Sequence, residues 1–256
     1  MKTLFFTILS AFFTFSSLAQ DEIAAQIITD AINQKKAVQY DGLTVIGDLD
    51  FTEIATKKSN SGNGINNEYK STVELPVVFR NCIFKGNVIA YKNTKDGQNK
   101  KILGVNIDGL SGATYSADFQ ENVVFENCKF EQSSEFKYSK FDKITNFSGS
   151  TFSKYANFKY AKFNSESSFS EITFRESADF KYGKFRSKTD FENVKYNQNA
   201  DYKYAEFKKS VSFDNSRFKG YADFKYADFA SGSTLNNTNF TSEADFKYSN
   251  GKQLRR

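Results

Sequence analysis

Residues 156–163 read Ala-Asn-Phe-Lys-Tyr-Ala-Lys-Phe, 178–185 read Ala-Asp-Phe-Lys-Tyr-Gly-Lys-Phe, 200–207 read Ala-Asp-Tyr-Lys-Tyr-Ala-Glu-Phe and 222–229 read Ala-Asp-Phe-Lys-Tyr-Ala-Asp-Phe. The same phrase begins earlier, from Ser134 to Phe141, and ends cut short at Ala244–Asn250. The interval is 22 residues. A period in this range marks supersecondary units stacked on one another. Outward from these phrases, a large residue recurs in alternating steps of five and six from Phe119 to Phe246, with Tyr196, Tyr202 and Leu235 as the substitutes for Phe. Of the 29 Phe, five precede residue 20, Phe51, Phe79 and Phe84 lie in a less regular first part, and the other 21 all fall in this register.

Two positions before most of these large residues stands a small one, as at Ser134, Ala156, Ala178, Ala200, Ala222 and Ala244, or at Ser139, Ala161, Gly183, Ala205 and Ala227. Residues two apart face the same side of an extended chain. That side is therefore the interior, and the polar residues between face solvent. A helix cannot keep steps of five and six on one face, and a flat strand needs no turn so often. A chain that turns four corners in 22 residues satisfies both constraints. Successive coils then lie one strand spacing apart, about 4.7–4.9 Å, and parallel stacking favours a right-handed coil. Each buried ring contributes roughly 1.5–3 kcal/mol before entropy is subtracted. The expected fold class is all-β, a right-handed four-sided parallel β-helix.

Ala178-Asp179-Phe180-Lys181-Tyr182 and Ala222-Asp223-Phe224-Lys225-Tyr226 match a small–Asp/Asn–Leu/Phe–polar–polar pattern. The chain thus resembles the pentapeptide-repeat family, closely over residues 112–248 and weakly over 40–110. The resemblance implies the four-sided right-handed β-helix. The sixth residue at alternate steps departs from the family's strict pattern and suggests a larger or rectangular cross-section.

Residues 1–19 carry one basic residue, Lys2, an apolar stretch from Leu4 to Phe15 and the small-residue exit Ser17-Leu18-Ala19. This pattern predicts a secretory signal peptide cleaved before Gln20, and hence an exported protein of the periplasm, cell surface or extracellular space. No other stretch is long and apolar enough to span a membrane. Residues 20–36 are expected to form a capping helix with Ile23, Ile27 and Ala31 on one face and Ile28 beside them, covering the open end of the Phe stack. Residues 37–111 read as irregular first coils with polar loops near 55–72 and 92–101, residues 112–248 as the regular β-helix, and residues 249–256 as a charged tail. The tail either blunts the last strand edge or leaves it open to end-to-end homodimerisation.

With 35 Lys and Arg against 30 Asp and Glu, the net charge of +5 is a mild bias spread along the repeats, too weak to imply nucleic acid. Absence of His removes His-based triads, proton shuttles and metal sites. No catalytic carboxylate pair stands out, and no cofactor is expected. Cys82 and Cys128 each sit two before an inward Phe. Buried free thiols are the expectation, unless a loop replaces one coil between them and brings them within disulfide reach. Glu135, Asn157, Asp179, Asp201, Asp223 and Asp245 form one outward column, read as compensating the charge of a second column, Lys137, Lys159, Lys181, Lys203, Lys225 and Lys247. A third column, Tyr138, Tyr160, Tyr182, Tyr204, Tyr226 and Tyr248, is expected near a corner. Self-stacking would rigidify the coil. Tyr and Lys are also good contact groups, so this strip is the candidate binding site.

These readings predict a non-enzymatic exported scaffold whose partner is a protein or an envelope glycan. A β-helical polysaccharide-active enzyme is the alternative, set back by the near absence of loops over the repeats. The DNA-mimic role that some pentapeptide-repeat proteins play needs an acidic cytoplasmic rod, and ice binding needs flat Thr-rich faces. Neither fits this chain.

Overall fold

The computed structural model describes residues 21–60, 66–94, 101–102, 105–106 and 112–254. The expected signal peptide lies outside the described residues. The chain winds as a parallel β-helix with four ladders of short strands. Equivalent residues 22 apart pair in register, as in Ala156↔Ala178, Lys162↔Lys184, Ser167↔Thr189 and Thr173↔Lys195.

Every Phe from Phe119 to Phe229 is buried, and the inward rings form four columns. Along a column the rings stack nearly parallel, as for Phe136–Phe158 at 5.2 Å and Phe163–Phe185 at 4.8 Å. Between columns they meet edge to face, as for Phe158–Phe169 at 5.4 Å. Both arrangements satisfy the ring quadrupole, so the 5/6 register specifies ring geometry as well as burial. Tyr196 and Tyr202 occupy the same interior, fully buried, and their hydroxyls hydrogen-bond each other.

Each five-residue step is a tight turn. In the turn from Phe180 to Gly183, the Gly183 N–H donates to the Phe180 carbonyl at 2.9 Å, and Tyr182 sits at φ +58°. Positive φ at the third residue is the type II geometry. The Asp179 carboxylate accepts the Lys181 N–H at 2.8 Å, and Asp201, Asp223 and Asp245 repeat this bond. Asn157 makes the same bond to the Lys159 N–H at 3.1 Å. The acidic column therefore caps turns through its side-chain oxygens, the Asx-turn role that Asn performs equally well. Charge compensation between the two columns is seen at Lys225, which pairs with Asp223 and Asp245.

The N-terminal segment differs from the expected single helix. Glu22–Ala24 is a strand that pairs in parallel with Thr44–Ile46, and the helix runs only from Ala25 to Asn33. Its buried face is Ala25, Ile28, Thr29 and Ile32, whereas Ile27 is 55% exposed. Backbone pairing with an otherwise open strand edge outweighs helix propensity at residues 22–24, and the later start moves the buried face. At the other end, the Asn250 side chain accepts the Phe229 N–H at 2.8 Å and donates to the Phe229 carbonyl at 3.0 Å, occupying that strand's open edge. Gly251 then lies against the Phe229 ring, where a Cβ would stand 2.6 Å away.

Cys82 and Cys128 are buried in the same position of adjacent coils, as the Lys129 N–H bond to the Cys82 carbonyl shows, and both are free thiols. The insertion replaces one coil between them. The hydrogen bond from Cys128 draws the Cys82 thiol down, and donating it, together with burial, pushes Cys128 up.

Candidate functional site

The first two coils break the 22-residue period at one corner, and the break is structured. After Phe51 the chain leaves the coil, forms Lys58–Asn60, and returns as the strand Asn66–Val73. After Ala90 it leaves again as Tyr91–Asn93 and returns as Gly112–Phe119. The two returning strands pair in parallel over eight residues, from Gly112↔Asn66 to Phe119↔Val73. Lys58–Asn60 and Tyr91–Asn93 add on either side in antiparallel register. The expected loop at 55–72 is thus strand at 58–60 and 66–72, and its residues 61–65 lie outside the described residues. The expected loop at 92–101 begins as strand, and its residues 95–100 lie outside the described residues. Polar residues on both faces concealed these strands; their stability comes from pairing between coils.

The result is a four-stranded flap standing on the corner that the regular coils turn through their Lys-Tyr dipeptides. Alternation gives it two faces. Glu68, Thr114 and Asn93 form one cross-strand row, and Lys70, Ser116 and Tyr91 form the next on the same face. On the other face Tyr69 stacks on Tyr115 at 5.0 Å, and Lys57 and Lys92 lie over the Tyr115 ring. Lys92 also bonds the Asp50 carboxylate at 2.8 Å and that of Glu53. Burial opposes the Lys92 charge, but these two carboxylates outweigh it and hold its pKa above the ordinary lysine value. This ion triad anchors the flap to the first coil.

All six tyrosines of the expected strip form one ladder, with successive centroids 4.9, 4.7, 4.8, 4.6 and 4.8 Å apart from Tyr138 to Tyr248. Lys137, Lys159, Lys181, Lys203 and Lys247 each hold their ammonium over the following tyrosine ring, 4.8 to 5.6 Å from its centroid. Lys225 turns instead to Tyr221. Tyr91 of the flap meets Tyr138 at 5.6 Å, and the Lys137 ammonium, 4.6 Å from the Tyr91 ring centroid, binds both elements together. Burial between its neighbours raises the Tyr138 phenol above its ordinary range.

Between flap and ladder lies a groove of about 570 Å³, lined by Glu68, Tyr69, Lys70, Tyr91, Asn93, Thr114 and Ser116 from the flap and by Lys137, Tyr138, Tyr160, Lys162, Tyr182 and Lys184 from the coils. This size is typical of ligand clefts. Of the strip residues expected from sequence, Lys137, Tyr138, Tyr160 and Tyr182 line it. Lys159 and Lys181 lie alongside, and Tyr204, Tyr226, Tyr248, Lys203, Lys225 and Lys247 continue the corner beyond it. Sequence reasoning missed Tyr69, Tyr91, Lys162 and Lys184. Among the described residues no cluster of His, Cys, Asp and Glu could hold a metal, and no helix is long and apolar enough to cross a membrane.

The family model for pentapeptide repeats matches residues 115–162 and 202–250 in nine copies. The coils in these two segments are built of pentapeptide repeats. No curated protein and no solved structure matches the chain. These pentapeptide-repeat segments include the part of the ladder that lines the groove up to Lys162, while most of the flap precedes them.

Proposed function

We propose that the chain is an exported, non-enzymatic scaffold that binds a protein or glycan partner of the cell envelope in the groove between flap and tyrosine ladder. One observation carries this reading. Six tyrosines hold φ values of +57° to +61°, a region that costs a bulky residue about 1 kcal/mol or more. At the opposite five-residue corner the same turn position is filled by Asn127, Gly149, Glu171, Asn193, Asn215 and Asn237, mostly residues that tolerate this conformation. Ring stacking, at about 0.5–1.5 kcal/mol per pair, offsets the strain without a clear surplus. Aromatic residues kept at a strained position, beside a structured flap, support a contact surface. The repeat family is generally non-enzymatic, which supports a binding role.

The test is capture from the native envelope fraction, comparing the natural chain with a Tyr160→Asn/Tyr182→Asn variant. Asn suits the turn, so the variant folds with a stability change within about 1 kcal/mol. Its partner capture is expected to fall at least tenfold. Undiminished capture by the folded variant refutes the groove as the binding surface.

A further inference from the structure

Resting on the groove as the binding surface, we propose that its ligand is a short segment of a linear anionic polysaccharide of the uronic-acid type.

Charge comes first. The column that follows the tyrosine turn reads Lys140, Lys162, Lys184, Glu206, Asp228, so it is cationic beside the groove and acidic beyond it. Lys184 is neutralised by Glu206 at 3.0 Å and Lys70 by Asp118 at 3.1 Å. Among the described residues Lys162 and Lys137 have no carboxylate within ion-pair distance, and the Lys137 ammonium lies against the rings of Tyr91 and Tyr138. Two uncompensated ammonium groups in a cleft with one carboxylate, Glu68, call for a ligand bearing negative charge.

The surface chemistry selects the class of anion. The faces of Tyr160 and Tyr182 are covered by their stacked neighbours, so the ladder presents ring edges and hydroxyls. The flap side adds the hydroxyls of Thr114 and Ser116. Nothing here forms the deep apolar pocket in which a peptide seats an aromatic or aliphatic anchor. A polyhydroxylated ligand can instead exchange hydrogen bonds with every lining group. Periodicity adds a second fit. The ladder repeats at one strand spacing, and a polymer of similar repeat lays about one sugar against each rung and brings a carboxylate to Lys162.

The experiment is calorimetric titration of the purified full chain with a short oligogalacturonate, a neutral galactan oligosaccharide of equal length, and poly-L-glutamate. The oligogalacturonate is expected to bind, to weaken with added salt, and to lose at least tenfold in affinity in Lys137→Gln/Lys162→Gln. The control is Lys195→Gln/Lys219→Gln, in a basic trough along the opposite corner, which is expected to leave affinity unchanged. Absence of oligogalacturonate binding, an equal loss in the control variant, or equal affinity for the neutral oligosaccharide overturns the proposal. Tighter binding of poly-L-glutamate overturns it in favour of an acidic peptide. If envelope capture still depends on Tyr160 and Tyr182 while oligogalacturonate fails, only the choice of ligand falls. If capture is also independent of them, the groove reading falls too.

Discussion

Tyr196 and Tyr202 offer a stability test that separates pairing from packing. Both are fully buried within a stack of Phe rings, and each hydroxyl's partner is the other. Tyr202→Phe removes one hydroxyl and strands the other in an apolar interior. Leaving a buried polar group unpaired costs about 1–3 kcal/mol, and Tyr196→Phe should cost the same for the same reason. The double variant strands nothing. It converts the layer to the all-Phe packing found on either side, where Phe174 and Phe180 stack below and Phe218 and Phe224 stack above. Its stability should lie within about 1 kcal/mol of the natural chain or above it. Urea denaturation at neutral pH, followed by far-ultraviolet circular dichroism for all four proteins, gives the cycle. The expected coupling is large, with the double variant more stable than either single one. Additive losses would refute the reasoning, because they would make lost ring contacts, and not the stranded hydroxyl, the source of the cost.

The same two phenols predict alkaline sensitivity. Burial raises both above the ordinary tyrosine value, so the folded state favours the neutral form. Their contribution is complete below about pH 10, the unfolded value, and is lost as pH rises from there toward the folded values, by about 1.4 kcal/mol per pH unit for each phenol; urea midpoints taken from pH 9 to 11.5 should fall steeply in the natural chain and less steeply in Tyr196→Phe/Tyr202→Phe. A second substitution should stabilise. The Ser139 hydroxyl is buried without a hydrogen-bond partner among the described residues, in a column otherwise filled by Ala161, Gly183, Ala205 and Ala227, so Ser139→Ala should gain about 1 kcal/mol, and a lower melting temperature would refute it.

The repeat was legible because its information is local and redundant: each 22-residue unit states the inward register again, so Phe119 to Phe246 assign themselves. The flap was not legible, because neither Asn66–Val73 nor Gly112–Phe119 shows the alternation of a half-buried strand in its outer part. One signal was present. Tyr69 and Tyr115, Val73 and Phe119, Phe79 and Phe125, Cys82 and Cys128, and Phe84 and Phe130 are all 46 residues apart, and the structure pairs the coils at that offset. A constant offset across a stretch that looks like loop means an enlarged coil that still stacks. The turn-capping role of Asp179 and its equivalents was readable too, from Asn157, which shares their column and carries no charge.

The placement of the irregular parts makes the two ends of the ladder different. A stacked aromatic column needs no flap, and a flap anchored by Lys92 to Asp50 and Glu53 needs no aromatic column. Both enlarged coils nevertheless open at the one corner, after Phe51 and after Ala90, where every later coil holds a tyrosine at positive φ. Insertions placed without regard to the ladder could have left from any of the four corners. Their coincidence brings Tyr91 onto Tyr138, closes the first face of the ladder and flanks the stretch where the column after the tyrosine turn is lysine, before it changes to Glu206 and Asp228. At the far end Tyr248 stacks on Tyr226 alone among the described aromatic rings and is 62% exposed. If the groove is the contact surface as proposed, the coils from Glu206 onward serve to lengthen and stiffen the rod, and recognition falls where the flap turns a bare ladder into a groove.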